Sequence, residues 1–223
     1  MKRVGLFGAV LSTAVSLLAA NAANATALNG TFNVTIYQGV CSSCDINDAD
    51  EQAQQGNPLI TPSNQISTGV YTGALDWESG GNGDGNIGTF MTSSGGSYTD
   101  LSTVNNYSLS SAPFDLTTVF VITGNVTGSI GGDIQHDDGM SLYDGPGFAN
   151  DIAGSALPTA EIPTAYSGLH GPFEIVYVEA NGLPADLVMN VTTVPEPLTL
   201  SLFGAALAGA AASRRRRKAN KSA

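Results

Sequence analysis

The residues best placed to do chemistry lie in Asp133-Ile134-Gln135-His136-Asp137-Asp138-Gly139-Met140-Ser141-Leu142-Tyr143-Asp144-Gly145. Two adjacent carboxylates at a tight turn, followed by glycine and an alternating strand, can bring several oxygens into one small volume, which suits calcium. The same turn has a structural reading, in which Asp137 or Asp138 caps backbone amides and Gly139 supplies a positive φ. Both readings stand on the residues. His136 reads as a packing or solvated histidine at a strand end. Paired carboxylates also serve glycoside hydrolysis, but there they face each other across a substrate cleft instead of sharing a turn. The chain has no Gly-x-Ser-x-Gly elbow, no His-Glu-x-x-His helix and no phosphate-cradling loop, so no catalytic residue is assigned.

Three further groups are weaker candidates. Asn82-Gly83-Asp84-Gly85-Asn86-Ile87-Gly88 echoes the first half of an EF-hand loop. Ile87 takes the place of the glycine at its sixth position and Ser93 that of the bidentate glutamate at its twelfth, so a hairpin connection accounts for it better. Cys41 and Cys44 are the only cysteines. Zinc would need two more ligands, and a thioredoxin-type role would need a β-α-β context. In an oxidising compartment the pair is expected to close a small disulfide loop. Trp77, Tyr71, Tyr143 and Tyr177 could stack on sugars, although Trp77 on an alternating strand reads as core.

The elements that position these groups read as short strands. Gly, Thr, Ser, Asn and Val dominate and helix formers are few. Thr31–Gln38 alternates, with Phe32, Val34 and Ile36 on one face. Gly39–Asn64 reads as a long polar loop with one helical turn around Asp48–Gln55. Val70–Trp77 resumes the strand pattern, and Ile87–Met91 reads as a short return strand. Ser93–Asn106 is a connection leading to a short strand at Tyr107–Leu109. The β-branched run Thr118–Gly124 is the expected central strand. Gly128–His136 and Met140–Tyr143 flank the Asp-Asp turn, and Asp144–Gly171, broken by three prolines, reads as a surface excursion. Phe173–Glu179 and Asp186–Thr192 are expected to pair as a hairpin through Asn181-Gly182. Eight or nine such strands predict an all-β fold, an antiparallel β-sandwich.

Charge is distributed unevenly. All eight Lys and Arg residues lie in the two ends of the chain, whereas all nineteen acids except Glu196 lie between 26 and 194. That region therefore has eighteen acids and no fixed cation, a formal charge of −18 against −11 for the whole chain. Nothing there could neutralise phosphates, which excludes nucleic acid as a partner. Protons, dissolved salt or metal ions must balance the carboxylates.

The two ends read as export and processing segments. Lys2 and Arg3 precede the apolar run Val4–Ala20, and Ala23-Asn24-Ala25 offers the small residues a signal peptidase needs. Residues 1–25 are therefore expected to be a signal peptide cleaved between Ala25 and Thr26. At the other end Val194-Pro195-Glu196-Pro197 is held extended by its prolines. An apolar run from Leu198 to Ala212 follows, near the ~17-residue lower limit for crossing a bilayer. Arg214, Arg215, Arg216 and Arg217 with Lys218 then form a stop-transfer cluster on the cytoplasmic side.

That order of parts closely resembles the PEP-CTERM sorting signal of Gram-negative bacteria. The resemblance implies cleavage near Pro-Glu-Pro by an exosortase, a membrane protease. It implies an inner-membrane intermediate, followed by delivery to the cell surface or extracellular matrix. The expected organisation is a signal peptide (1–25), a secreted β domain (26–193), a sorting signal (194–218) and a cytoplasmic tail (219–223).

The Asp-Asp-Gly turn, together with Val176-Tyr177-Val178-Glu179-Ala180-Asn181-Gly182, resembles the PA14/GLEYA type of β-sandwich. In the calcium-dependent lectins of that type the paired aspartates hold a calcium ion that chelates sugar hydroxyls, which nominates Asp137 and Asp138 here. The expected function is a non-enzymatic structural or adhesive role at the cell surface, linked to exopolysaccharide. The alternative is a calcium-dependent carbohydrate-binding module.

Overall fold

The computed structural model describes residues 25–40, 44–79 and 85–192. The leader up to residue 24, Cys41 and the segment from residue 193 onward lie outside the described residues.

In chain order the elements are β1 (Ala25–Ala27), β2 (Asn29–Val40), a 3-10 turn (Ala49–Glu51), β3 (Gln65–Ala74), β4 (Asp76–Ser79), α1 (Ile87–Met91), β5 (Ser97–Tyr98), α2 (Leu101–Val104), β6 (Leu116–Asp137), β7 (Gly139–Asp144), β8 (Asn150–Ser155), β9 (Ile162–Glu179) and β10 (Ala185–Thr192). Every strand pair is antiparallel. The hydrogen-bonded path runs β5-β3-β2-β6-β9-β7-β8, and β10 joins it at β6 while also pairing with β4 and β1. Among the described residues no helix is long and apolar enough to cross a membrane.

The longest strand sets the architecture. The first half of β6 pairs with β2, Thr123 opposite Asn33, and its second half pairs with β10, Asp137 opposite Asp186. Phe120 lies opposite Tyr177 of β9, and the Tyr177 hydroxyl donates to the carbonyl of Asp137. Two points of β6 seventeen residues apart are thus within reach of one side chain. A straight strand at ~3.3 Å per residue would hold them more than 50 Å apart. The β6–β9 ladder is interrupted at Val126/Ser129 and Ile130/Gly132, where β6 turns back and β9 follows it. Residues 118–123 and 133–137 therefore meet over one core.

That core follows from the alternation of the strands. Phe32, Val34 and Ile36 of β2 are buried, as are Phe120 and Ile122 of β6 and Leu187 and Met189 of β10. Trp77 sits centrally, its ring edge-on to Tyr71 at 5.0 Å and to Phe90 at 5.8 Å. Tyr177 packs on Phe120 at 5.7 Å and on Phe90 at 5.9 Å.

Several local expectations are corrected. Ile87–Met91 is a helix, started by Asn86, whose Oδ1 accepts from the amide of Thr89 at 2.8 Å. An apolar run this short cannot declare its own period. Val70–Trp77 is two strands, broken at Leu75, with different partners. Tyr107–Leu109 forms no strand among the described residues, only a bridge between Ser108 and Asn86. Ser97–Tyr98 and Leu101–Val104 are a strand and a helix inside the expected connection. The expected surface excursion holds β8 and the first half of β9. Thr118–Gly124 and Gly128–His136 belong to one strand. β9 and β10 do not form a hairpin, because β6 lies between them and pairs with both.

Candidate functional site

The folding back of β6 brings its last residue to the C-terminal end of β9. There Asp137 and Asp138 join β6 to β7 through a cis peptide bond, and Glu179 leads through Asn181 and Gly182 to β10. These two connections wall a cavity of about 270 Å³, lined also by Thr159, Leu183, Phe114 and Ile46.

The two aspartates differ. Asp138 is 3% exposed, and its Oδ2 accepts from the amides of Ala180 at 2.8 Å and Asn181 at 3.0 Å. It clamps the β9–β10 connection to the β6–β7 turn, as the structural reading of the sequence anticipates. Asp137 is less enclosed, and burial followed by the charge of Asp138 pushes its carboxyl up to about 6. Burial raises Asp138 as well, against the lowering effect of its amide donors. Gly139 does not occupy the left-handed region, contrary to expectation. A Cβ there would lie 2.3 Å from the carbonyl oxygen of Ala156, so close backbone approach accounts for the glycine.

Three buried side chains hold the turn from beneath. His136 is buried, with Nδ1 2.6 Å from the carbonyl oxygen of Asp138 and Nε2 2.8 Å from Thr164 Oγ1. Burial lowers its pKa, so the ring is neutral. A carbonyl only accepts, so Nδ1 carries the proton and Nε2 accepts from Thr164. Tyr177 has one hydroxyl proton but two acceptors, the Asp137 carbonyl and Glu179 Oε2, the latter 3.0 Å away. Donation to the carbonyl leaves the second contact to a proton on Glu179, which burial holds well above the ordinary carboxyl range. Glu179 Oε1 accepts from Ser110 at 2.8 Å, and Ser110 in turn accepts from the amide of Gly182 at 3.1 Å. The acidic turn thus rests on a neutral, hydrogen-bonded floor.

A calcium ion takes six to eight oxygen ligands. Among the described residues no three His, Cys, Asp or Glu side chains converge to hold a metal. A cation here would draw on the carboxylates of Asp137 and Asp138 and on neutral oxygens such as the Asn181 amide. The donors present are hard oxygens with no Lys or Arg in the domain to neutralise them, which fits calcium. Sequence reasoning missed Asn181 and Thr159 as cavity residues, because it assigned Asn181-Gly182 to a hairpin turn. The aromatic candidates Trp77, Tyr71 and Tyr177 are buried and unavailable to a sugar; Tyr143 is half-buried.

A second acidic site lies nearby but outside the cavity lining. Glu51 is fully buried, accepts from Thr117 Oγ1 at 2.6 Å through Oε2, and is pushed up to about 7 by burial. It fastens the polar loop after β2 onto β6, and Ile46 of that loop forms one wall of the cavity.

The described domain ends at Thr192, and residues 193–217 match the family model of the PEP-CTERM protein-sorting motif. The chain carries a PEP-CTERM sorting signal. This PEP-CTERM signal begins where β10 stops, with Pro195 three residues beyond the last paired residue. Proteins with a PEP-CTERM signal are exported and sorted to the cell surface, with processing by an exosortase. No curated protein matches this PEP-CTERM chain. Among solved structures it is similar to the PA14 sugar-binding domain from an RTX adhesin, at 16% identity and a TM-score of 0.49, covering 76% of this chain and 100% of that one. It is also similar to the PA14 domain of the MpAFP antifreeze protein, at 15% identity and a TM-score of 0.48, covering 79% and 90%.

Proposed function

We propose that this is an exported, non-enzymatic surface or extracellular-matrix protein of a Gram-negative bacterium. In this reading signal peptidase removes residues 1–25, a membrane-anchored intermediate follows, and an exosortase cuts near Val194-Pro195-Glu196-Pro197. The released β-sandwich, with Cys41 and Cys44 closed as a disulfide, serves an adhesive role toward exopolysaccharide. The observation that carries the reading is the sorting motif abutting a domain whose carboxylates have no Lys or Arg partner in residues 26–194. Pulse-chase labelling tests it: the precursor should give way to a shorter form lacking the residues after Pro197. Persistence of the tail at the cell surface would refute it.

The cavity favours a second, more specific reading, calcium-dependent carbohydrate binding. Asp137, Asp138 and Asn181 would hold the ion, which would supply coordination sites for sugar hydroxyls. The floor of His136, Tyr177 and Glu179 fixes the backbone of the pair without adding charge. Thermal unfolding with and without calcium tests this reading, together with retention on the organism's exopolysaccharide in the presence and absence of chelator. If calcium leaves the domain's stability unchanged, and replacing Asp137 and Asp138 together by Asn leaves retention unchanged, only the adhesive reading stands.

A further inference from the structure

The alternation that sends Phe120, Ile122, Ile175 and Tyr177 into the aromatic core sends Val119, Val121, Val176 and Val178 to the other face of the sheet. Ala53 and Leu59 of the loop after β2 cover Val119 and Val178, and that cover stops short of Val121. Where it stops, a cleft of about 400 Å³ opens. Val121 and Val176, directly opposite on β6 and β9, form its floor, and Tyr37, Gln55, Phe148 and Glu174 form its walls. None of these residues lines the Asp137–Asp138 cavity.

The polar groups of the cleft are held in place and only partly used. Gln55 Nε2 donates to Glu174 Oε1 at 2.8 Å and to the carbonyl of Phe148 at 3.1 Å, tying two walls to the loop. Among the described residues nothing donates to Glu174 Oε2, and neither Gln55 Oε1 nor the Tyr37 hydroxyl has a hydrogen-bond partner. Burial and then the charge of Glu174 push the Tyr37 hydroxyl up, so it keeps its proton and is free to donate. Phe148 has a φ of 55°, an outlier for a bulky side chain. Such a conformation persists where its surroundings over-determine it, as the Gln55 bond helps to do, and is found at ligand clamps.

Glu174 has no Lys or Arg in residues 26–194 to pair with, so charge complementarity calls for a ligand that brings a cation. An ammonium between a carboxylate and aromatic rings gains a charge-assisted hydrogen bond and cation–π attraction together. A bare metal ion would leave both rings unused, and a tetraalkylammonium would leave Tyr37 and Gln55 without partners. An amino-substituted pyranose uses every group, with its C–H face on the rings and valines, its hydroxyls on Tyr37 and Gln55, and its ammonium on Glu174. We propose that the cleft between Tyr37, Phe148 and Glu174 is a calcium-independent subsite for a protonated amino sugar, a de-N-acetylated residue of the exopolysaccharide. It rests on the adhesive reading and gives that reading a sugar class.

The test titrates the full chain in detergent micelles, with calcium chelated, against tri-glucosamine from fully deacetylated chitosan and against tri-N-acetylglucosamine. Calorimetry should show the first binding about tenfold more tightly. Equal affinities, or no binding of tri-glucosamine at millimolar concentration, would overturn the proposal. Glu174→Gln should weaken tri-glucosamine about tenfold, while Asp115→Asn, at an exposed acid outside the cleft, should leave it unchanged. Equal losses would mean a general attraction to an acidic domain, and the subsite would be lost. Phe148→Gly removes a ring where glycine suits the backbone, so circular dichroism should show an intact fold. Its affinity should fall several-fold, and unchanged binding by the folded variant would also overturn the proposal. If tri-glucosamine fails to bind while the protein is still retained on the organism's exopolysaccharide, the subsite falls and the adhesive reading stands. Loss of retention as well would sink both.

Discussion

β6 and β9 build two ends of this domain, and the two ends are opposites. At one, the strands terminate and Asp137, Asp138 and Glu179 gather within reach of a single tyrosine. At the other, the same strands bend through glycine-rich sequence with no carboxylate, and the chain passes in and out. The acidic end is held by side-chain hydrogen bonds to buried groups; at the other end the backbone ladder is joined by Asn190, which donates to Asp133, and by Tyr166, which donates to the carbonyl of Asn190. The contrast teaches that one pair of bent strands can gather carboxylates at one end of a domain while the sequence at its bend holds none.

The largest effect should come from the neutral end. Replacing Pro195→Ala and Pro197→Ala removes both prolines of the sorting motif. The tail should then stay uncut, seen as full-length precursor in a pulse-chase, while calcium-dependent stabilisation of the domain is unchanged.

Next comes the clamp at the acidic end. Asp138→Ala strands the amides of Ala180 and Asn181 and should cost roughly 2–4 kcal/mol in urea unfolding. Asp138→Asn keeps an acceptor oxygen and should cost less than half of that. Gly132→Ala probes the neutral end in the same assay. Its Cβ would lie 2.0 Å from the carbonyl oxygen of Asn190, so prying β10 from β6 should cost about 1–3 kcal/mol.

A smaller effect distinguishes the ends by pH. Burial pushes Glu51 and Asp186 up to about 7 and Asp137 to about 6, from ordinary values of 4.5 and 3.8. These carboxyls hold protons more tightly folded than unfolded. Their contribution is present in full below the ordinary values and is lost as pH rises through 6 to 7. The domain should therefore melt at a higher temperature at pH 5 than at pH 8. Asp100, lowered by hydrogen bonds from Ser67 and Thr103, acts in the opposite sense, but only as pH falls toward and below its ordinary value. Asp137→Asn removes a carboxyl whose ionisation disfavours the fold, so it should raise stability modestly near neutral pH and flatten part of the fall between pH 5 and 8, yet abolish the stabilisation by calcium. Calorimetry separates the two outcomes.

What the sequence disclosed was local. Phe32-Asn33-Val34-Thr35-Ile36 and the run Thr118–Gly124 announced strands because alternation and β-branching are written within a few residues. The Asp137–Asp138 turn was legible because adjacent acids before glycine are rare enough to notice. The partners were not legible. Nothing near Phe173 or Leu187 says that β6 will come between them, since that depends on a strand bending some fifty residues earlier in the chain. Asn181 and Thr159 joined the cavity through the same long-range closure. Ile87–Met91 offered five residues, too few to separate a helical from an extended period.

The order in which the strands arrive has a consequence for secretion. β10 is the last of the described strands, yet it must slot against β6, β4 and β1, elements synthesised long before it. A chain emerging head first stays unfinished, with Ile134 and Trp77 lacking their final strand partners, until Ala185–Thr192 has arrived. Completion of the fold therefore waits for the residues just before the sorting signal, and proteolysis of the chain should be confined to the interval before they arrive.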